Sequence, residues 1–257
     1  MITLAKKRLA KQGKKIGIVS ASWGRSRIVE SVMEYYSNLK FGGMEVVRIM
    51  AVSPEDPDPI GEVEGWQKVE VENDPLGKKF NAASAAAFEQ GVSGIIVIGS
   101  DDVLSLPYLN FIAERAKENY DFVRPNEMCI YKPGSDRVSV CLSAPPGAGR
   151  YLSRDLVHRM GGKPWDDSAN SYLDQSMQSR MRDVQIRSYQ LKGMLSHGFI
   201  VLDIKTDGNM WDLALDEGGI GLKNNLSDEF LYLRRVITYP VERFMAQHFP
   251  TFDYKSL

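Results

Sequence analysis

The chain has 257 residues, is 43% hydrophobic and 25% charged, and carries a net charge of -1. That is enough chain for a substantial core, the composition of an ordinary globular protein, and no overall field that would steer nucleic acid or membrane. Two cysteines (Cys129, Cys141), scattered histidines (His158, His197, His248) and the lack of a C-x-x-C argue against a structural zinc site and for reduced thiols in a cytoplasmic setting.

The first segment, MITLAKKRLAKQGKK, is basic without an apolar centre, so it reads as a solvated arm or short helix rather than a signal peptide; the sharper alternative is an arm that contacts phosphates. Ile16 to Val19 form a short strand that ends in SASWGRSR. A helix follows, with Ile28, Val29, Val32, Met33 and Tyr36 at helical spacing and Gly42-Gly43 at its close. MEVVRIMAVS reads as a second strand, parallel to the first. SPEDPDPIG is a turn-rich loop and WQKVEVEN a short third strand. Asp74 fits an N-cap with Pro75 at the first helical position of PLGKKFNAASAAAFEQG, whose alanines suit close packing on a sheet. GIIVIGSDD, residues 94 to 102, is the next strand, and its continuous apolar run suits a sheet covered on both faces.

The second half is less regular. A helix near 106–119 precedes strands in FVRPNEMCIYKPG and DRVSVCLSA. PPGAGR then leads into a helix YLSRDLVHRMGG and a polar stretch, 163–183. FIVLDIK is a strand, TDGNMWDLALDEGGIG is loop-rich, and the chain ends in a helix over roughly 227–249, interrupted by Pro240. No run reaches the ~18 apolar residues of a membrane span. The simplest organisation is one domain over 1–257: a nucleotide-binding type of half (16–104), an irregular half (105–226) and a C-terminal helical segment (227–257). The fold class is α/β, Rossmann-like, with a mostly parallel sheet and helices on both faces. Ligands of such sheets bind outside the carboxyl ends of the strands, where SASWGRSR, SPEDPD and GSDDV converge.

Several residues there can carry chemistry. Adjacent carboxylates at a strand end, Asp101 and Asp102, can hold a divalent cation that bridges phosphates, or can simply end a strand and cap the next helix. SASWGRSR has small residues and a cation but matches neither the P-loop nor G-x-G-x-x-G. Lys78-Lys79 at a helix N-terminus can hold an anion or be a solvated pair. Gly147, Gly149 and Arg150 in PPGAGR can approach an acceptor or a diphosphate, or form a plain turn. Asp174 can be a general base, though a lone acid in an amphipathic stretch is weak evidence. Asp166, Asp167, Asp203 and Asp207 are equally open.

Together, IGIVSASWGR, NDPLGKKFNAASAAA, GIIVIGSDDV, PPGAGR and SYLDQSM resemble, in their order, the GT-A glycosyltransferases of the family-2-like group, and small phage-encoded members in particular. The resemblance implies transfer of a sugar from a nucleoside-diphosphate sugar, UDP-sugar favoured, with Mn²⁺ or Mg²⁺ as cofactor. It implies that GSDD stands for the D-x-D metal motif, with Asp102 the surer ligand, Asp101 its neighbour, and serine in the first place. It implies nucleotide-sugar contacts from Ser20, Ser22, Trp23, Arg25, Lys78, Asn81 and Ser100, acceptor or diphosphate contacts from Gly147, Gly149 and Arg150, and Asp174 as the catalytic base of an inverting transfer. The family's C-terminal metal-binding histidine has no counterpart after FIVLDIKTDGNMW, so Asp203 or Asp207 would replace it. The phage-like members imply hydroxymethylated pyrimidine in DNA as acceptor, in host cytoplasm, with AKKRLAKQGKK, SRDLVHR and RMRDVQIRSYQLK meeting phosphates; a saccharide or protein acceptor is the alternative. A nucleotidyltransferase that makes the sugar nucleotide, and a binding module without chemistry, are the rival readings.

Overall fold

A computed structural model describes residues 15–142, 146–206 and 236–257, and the backbone strands at 211–216, 219–224 and 230–233. The basic N-terminal arm and Asp207 lie outside the described residues.

The main sheet is built first. Strands β1 (Lys15–Ala21), β2 (Glu45–Val52), β3 (Gln67–Glu70) and β4 (Gly94–Val97) run parallel in the order β4-β1-β2-β3. The connections are α1 (Ser26–Ser37) and α2 (Leu76–Glu89). Successive residues of β1 and β4 face opposite ways, as the pleat requires. Ile16, Ile18, Ile96 and Ile98 pack with Val29, Val32, Met33 and Tyr36 of α1. Val19, Ile95 and Val97 pack with Phe80, Ala83 and Ala87 of α2 on the other face. A methyl group on Gly17 would lie 3.3 Å from Ala87 Cβ, so the alanines do bring α2 close. The apolar run of β4 thus reflects burial on both faces.

The reading of 94–102 as one strand is corrected. The chain leaves the main sheet at Val97 and enters a second sheet as β5 (Asp102–Leu104). Gly99 and Ser100 allow the turn, and the Asp102 carboxylate closes it by accepting from Gly99 N–H at 2.6 Å. After α3 (Leu106–Lys117), β6 (Phe122–Arg124) returns to the main sheet, while β7 (Glu127–Tyr131) and β8 (Arg137–Leu142) belong to the second. β9 (Arg150–Ser153) runs antiparallel between β4 and β6, and β10 (Ser188–Gln190) completes the seven strands. The helix read from Tyr151 therefore begins only at α4 (Arg154–Arg159), because Ser153 Oγ accepts from Leu156 N–H and caps it there. α5 (Leu173–Met181) lies within the polar stretch.

The second sheet has the order β15-β8-β7-β11-β5, with β11 (Val201–Ile204) and β15 (Val236–Pro240). The expected C-terminal helix is a correction: 236–240 is a strand paired antiparallel with β8, and only α6 (Val241–His248) is helical there. The β-branched Val236, Ile237 and Thr238 favour the strand, and Pro240, without an N–H, ends it and starts the helix. The stretch read as loop-rich is also corrected. β12 (Trp211–Asp216), β13 (Gly219–Asn224) and β14 (Phe230–Leu233) form an antiparallel sheet, with Asp216 opposite Gly219, and β14 lies where the C-terminal helix was expected. Cys129 and Cys141 are buried free thiols. Among the described residues no helix is long and apolar enough to cross a membrane.

Candidate active site

A cleft of about 700 Å³ opens at the carboxyl ends of β1 and β4, as expected of a parallel sheet. Its floor is Ala21 to Trp23, Arg25 and Val97 to Asp102; its far wall is Pro146 to Ala148, Arg150 and 171–175.

The loop after β1 is fastened from three sides. Ser22 N–H donates to Ala51 O at 2.9 Å. Both Asp56 carboxylate oxygens accept from Gly24 N–H, at 2.9 and 3.0 Å. Asp58 accepts from Ser26 N–H and Oγ–H at 2.7 and 2.8 Å and so serves the start of α1. The acids of SPEDPDP thus hold the loop rather than a ligand. Beneath it, the Lys79 ammonium, 1% exposed, donates to Ser22 O, to Ser53 Oγ at 2.8 Å and to Asn73 Oδ1 at 3.3 Å. Burial lowers its pKa, opposed by the charges of Asp56, Glu55 and Asp74. Its three protons have three acceptors, which makes it a clamp.

The acids meet where the two sheets join. Asp102 of β5 stands directly opposite Asp203 of β11 in the antiparallel ladder, so their side chains share one face. The free edge of β5 is held by α1: Tyr36 Oη accepts from Leu104 N–H at 2.8 Å, and Tyr35 Oη donates to Leu104 O at 2.8 Å. Carboxylate oxygens of Asp101, Asp102 and Asp203 all lie within 4.8 Å of one another. At that spacing each pair of charges repels by about 3 kcal/mol at an effective dielectric of roughly 20. Burial, then the charges of Asp203 and Asp101, hold the Asp102 pKa well above the usual carboxylate range. Burial also raises that of Asp203, opposed by Lys205, whose ammonium lies 2.7 Å from Asp203 Oδ2. Asp203 Oδ1 is buried with no hydrogen-bond partner among the described residues. An orphaned carboxylate oxygen in an all-oxygen donor set fits a hard divalent cation.

On the far wall, Arg150 is 3% exposed and donates through one NH to Asp174 Oδ1 at 2.6 Å and through Nε to Pro146 O at 3.0 Å. Asp174 sits in the first turn of α5 with its side chain 43% exposed. Gly147 packs against it: a Cβ there would lie 3.0 Å from Asp174 Oδ1. Tyr172, 51% exposed and at φ 52, stands two residues before Asp174 on the same wall.

Of the residues singled out from sequence, Ser22, Trp23, Arg25, Ser100, Asp101, Asp102, Gly147, Arg150 and Asp174 line the cleft together. Ser20 is buried beneath it. Gly149 is a packing position: at φ 74 it leaves no room for a Cβ beside Tyr108, Val201 and Leu104. Lys78 points away and pairs with Glu72 at 2.6 Å. The first N–H groups of α2 are already used: Leu76 N–H donates to Asn170 Oδ1 and Gly77 N–H to Ala169 O. Pro75 is the N-cap residue, so Asp74 does not cap the helix. Asn81 is spent on Trp165 O, Trp165 N–H and Asp167, and ties α2 to that loop. Asp166 turns back on Ser168. Besides Arg25 and Arg150, the cleft is lined by Lys79 and Lys205. Sequence reasoning paired Lys79 with Lys78 but gave the contact to Lys78, and it missed Lys205, for which the position two after Asp203 was the available signal.

No protein-family model matches the sequence, and no curated protein matches it. Solved structures do. S. aureus TarS 1-349 in complex with UDP-GlcNAc superposes with a TM-score of 0.58 at 12% identity, over 76% of this chain and 60% of that one. The same TarS fragment in complex with UDP gives 0.53 at 12% identity, over 75% and 61%, and without a named ligand 0.54 at 10%, over 74% and 60%. The chain thus spans about 60% of the TarS fragment. The shared feature is the fold, a mixed α/β fold of the GT-A kind.

Proposed function

We propose that this chain is a glycosyltransferase that moves a sugar from UDP-sugar to a hydroxyl acceptor with inversion. One observation carries this reading. In a fold shared with TarS bound to UDP-GlcNAc, the cleft at the strand ends brings three carboxylates to one wall and the Arg150–Asp174 pair to the other. Asp101, Asp102 and Asp203 would hold Mn²⁺ or Mg²⁺, which supplies positive charge for a leaving diphosphate. The loop of Ser22, Trp23 and Arg25, fixed by Lys79 and Asp56, receives the nucleotide. Asp174 takes the proton from the acceptor hydroxyl. The freed oxygen bonds to the anomeric carbon as its bond to the diphosphate breaks on the opposite face. Arg150 keeps the Asp174 carboxylate in place, and Tyr172 gives the acceptor an apolar face beside it.

Among the described residues, three of the arginines that suggested DNA are engaged by the protein itself. Arg159 pairs with Asp121, Arg180 donates to Lys163 O and Met160 O, and Arg187 donates to Glu118 O and stacks on Tyr120. That favours a saccharide or protein hydroxyl over a hydroxymethylated pyrimidine in DNA as acceptor. The test is a thermal-shift panel of nucleoside diphosphates and UDP-sugars with and without Mn²⁺, followed by product analysis. UDP with Mn²⁺ raises the midpoint by mass action, and turnover releases UDP rather than pyrophosphate. Asp174→Asn keeps the shift and loses at least ~10²-fold in kcat. Absence of any nucleotide shift in the presence of metal sinks the reading; pyrophosphate release makes the chain a nucleotidyltransferase. Mass spectrometry of treated saccharides, proteins and modified DNA identifies the acceptor.

A further inference from the structure

We infer that Arg25 is a placeholder cation: it occupies Asp101 until a nucleoside diphosphate draws it away, and so makes divalent-cation binding depend on the donor. The inference rests on the glycosyltransferase reading above.

Arg25 NH1 lies 3.0 Å from Asp101 Oδ2, and its NH2 donates to Ser100 Oγ at 2.9 Å. The guanidinium therefore takes up a carboxylate of the candidate ligand set. Its backbone cannot follow a ligand. Arg25 is the N-cap of α1 at φ 59, between Gly24, held by Asp56, and Ser26, held by Asp58. The side chain is different: it is partly exposed and lines the same cleft. Lys205, the other cation of the cluster, is buried and sits two residues beyond its partner Asp203. Of the two, Arg25 is the one free to leave.

The charge balance gives the exchange a direction. Three carboxylates with Lys205 and Arg25 sum to -1. A divalent ion added to that set gives +1, whereas an ion that replaces Arg25 gives 0. The released guanidinium is a planar fork suited to phosphate oxygens, and a diphosphate in this cleft offers them. Metal and nucleotide then strengthen each other's binding, as linkage requires.

Mn²⁺ binding is measured by the electron paramagnetic resonance signal of the free ion, with and without UDP. The proteins are the wild type, Arg25→Gln, Asp101→Asn and the double variant, each checked for cooperative melting. Without UDP, Arg25→Gln binds Mn²⁺ about 10-fold more tightly than wild type, the range of an allosteric coupling. UDP then strengthens Mn²⁺ binding less in Arg25→Gln than in wild type. In the Asp101→Asn background the Arg25 substitution has no such effect, because the ion pair is already gone. Equal Mn²⁺ affinities for wild type and Arg25→Gln overturn the placeholder role, and so does a gain of full size in the Asp101→Asn background. Where either result overturns the placeholder while Mn²⁺ still binds in the presence of UDP, the metal reading stands; if Mn²⁺ binds to none of the four proteins, the metal reading falls with it.

Discussion

Replacing Gly147 by alanine moves the proposed general base without altering it. The glycine is not in the left-handed region, so alanine costs no backbone strain. Its Cβ would sit 3.0 Å from Asp174 Oδ1 and 3.5 Å from Oδ2, where ordinary contact begins at 3.4 Å. Asp174 must give way by about 0.4 Å, the difference between contact and placement, while Arg150 pulls Oδ1 back from 2.6 Å. A misplacement of ~1 Å costs on the order of 10²-fold in rate. Scaled in the logarithm, the shift predicts a fall in kcat of roughly sixfold, about 1 kcal/mol of barrier. The assay is UDP release at saturating donor and acceptor, with donor KM and melting midpoint as controls; both stay at their wild-type values. A kcat within twofold of wild type, with Asp174→Asn inactive, refutes the argument that this contact sets the base. A fall in donor affinity and midpoint together would show a general packing fault instead.

Lys79→Met leaves Ser22 O, Ser53 Oγ and Asn73 Oδ1 without their buried donor. The expected cost is about 2–3 kcal/mol, or a midpoint lower by roughly 4–10 °C, with weaker UDP binding as the loop after β1 loosens; an unchanged midpoint would remove Lys79 from the clamp. The two thiols should be inert. Burial pushes Cys141 up to about 12 and Cys129 well above its ordinary value, so native protein at pH 8 resists iodoacetamide while denatured protein takes two labels. Rapid native labelling of either would contradict that burial.

The parallel half of the fold was legible because its strands and helices carry their periodicity openly. β1, β2, α1 and α2 lie where apolar spacing put them, and Gly91 follows the end of α2; Gly42-Gly43, however, form the turn into β2 rather than the close of α1, which ends at Ser37. The second sheet was less so. Its strands are short, and Val236 to Pro240 join onto a genuine amphipathic helix, so the helical period seemed to continue through them. In the cleft, the loop after β1 and Asp101-Asp102 were visible because small residues and acids after a buried strand have few other uses. Lys79 and Lys78 differ by one position, and a helix turns that difference into about 100°; only the packing of α2 decides which faces inward. Asn81 and Gly149 looked like ligand contacts because polar and glycine positions also serve tertiary packing. The pairing of Asp102 with Asp203 joins residues a hundred positions apart, and no local pattern encodes it.

That pairing has a consequence for how the site tolerates change. The spacing of the two acids is set by one rung of a backbone ladder, braced by two tyrosine hydroxyls on its outer edge. Surface loops can lengthen, and core side chains can be exchanged, without altering that rung. A slip of register by a single residue would turn one acid to the opposite face and abolish it. The carboxylate pair is therefore digital where loop-borne sites are graded: drift elsewhere in the chain leaves it whole, and only a change of strand register removes it.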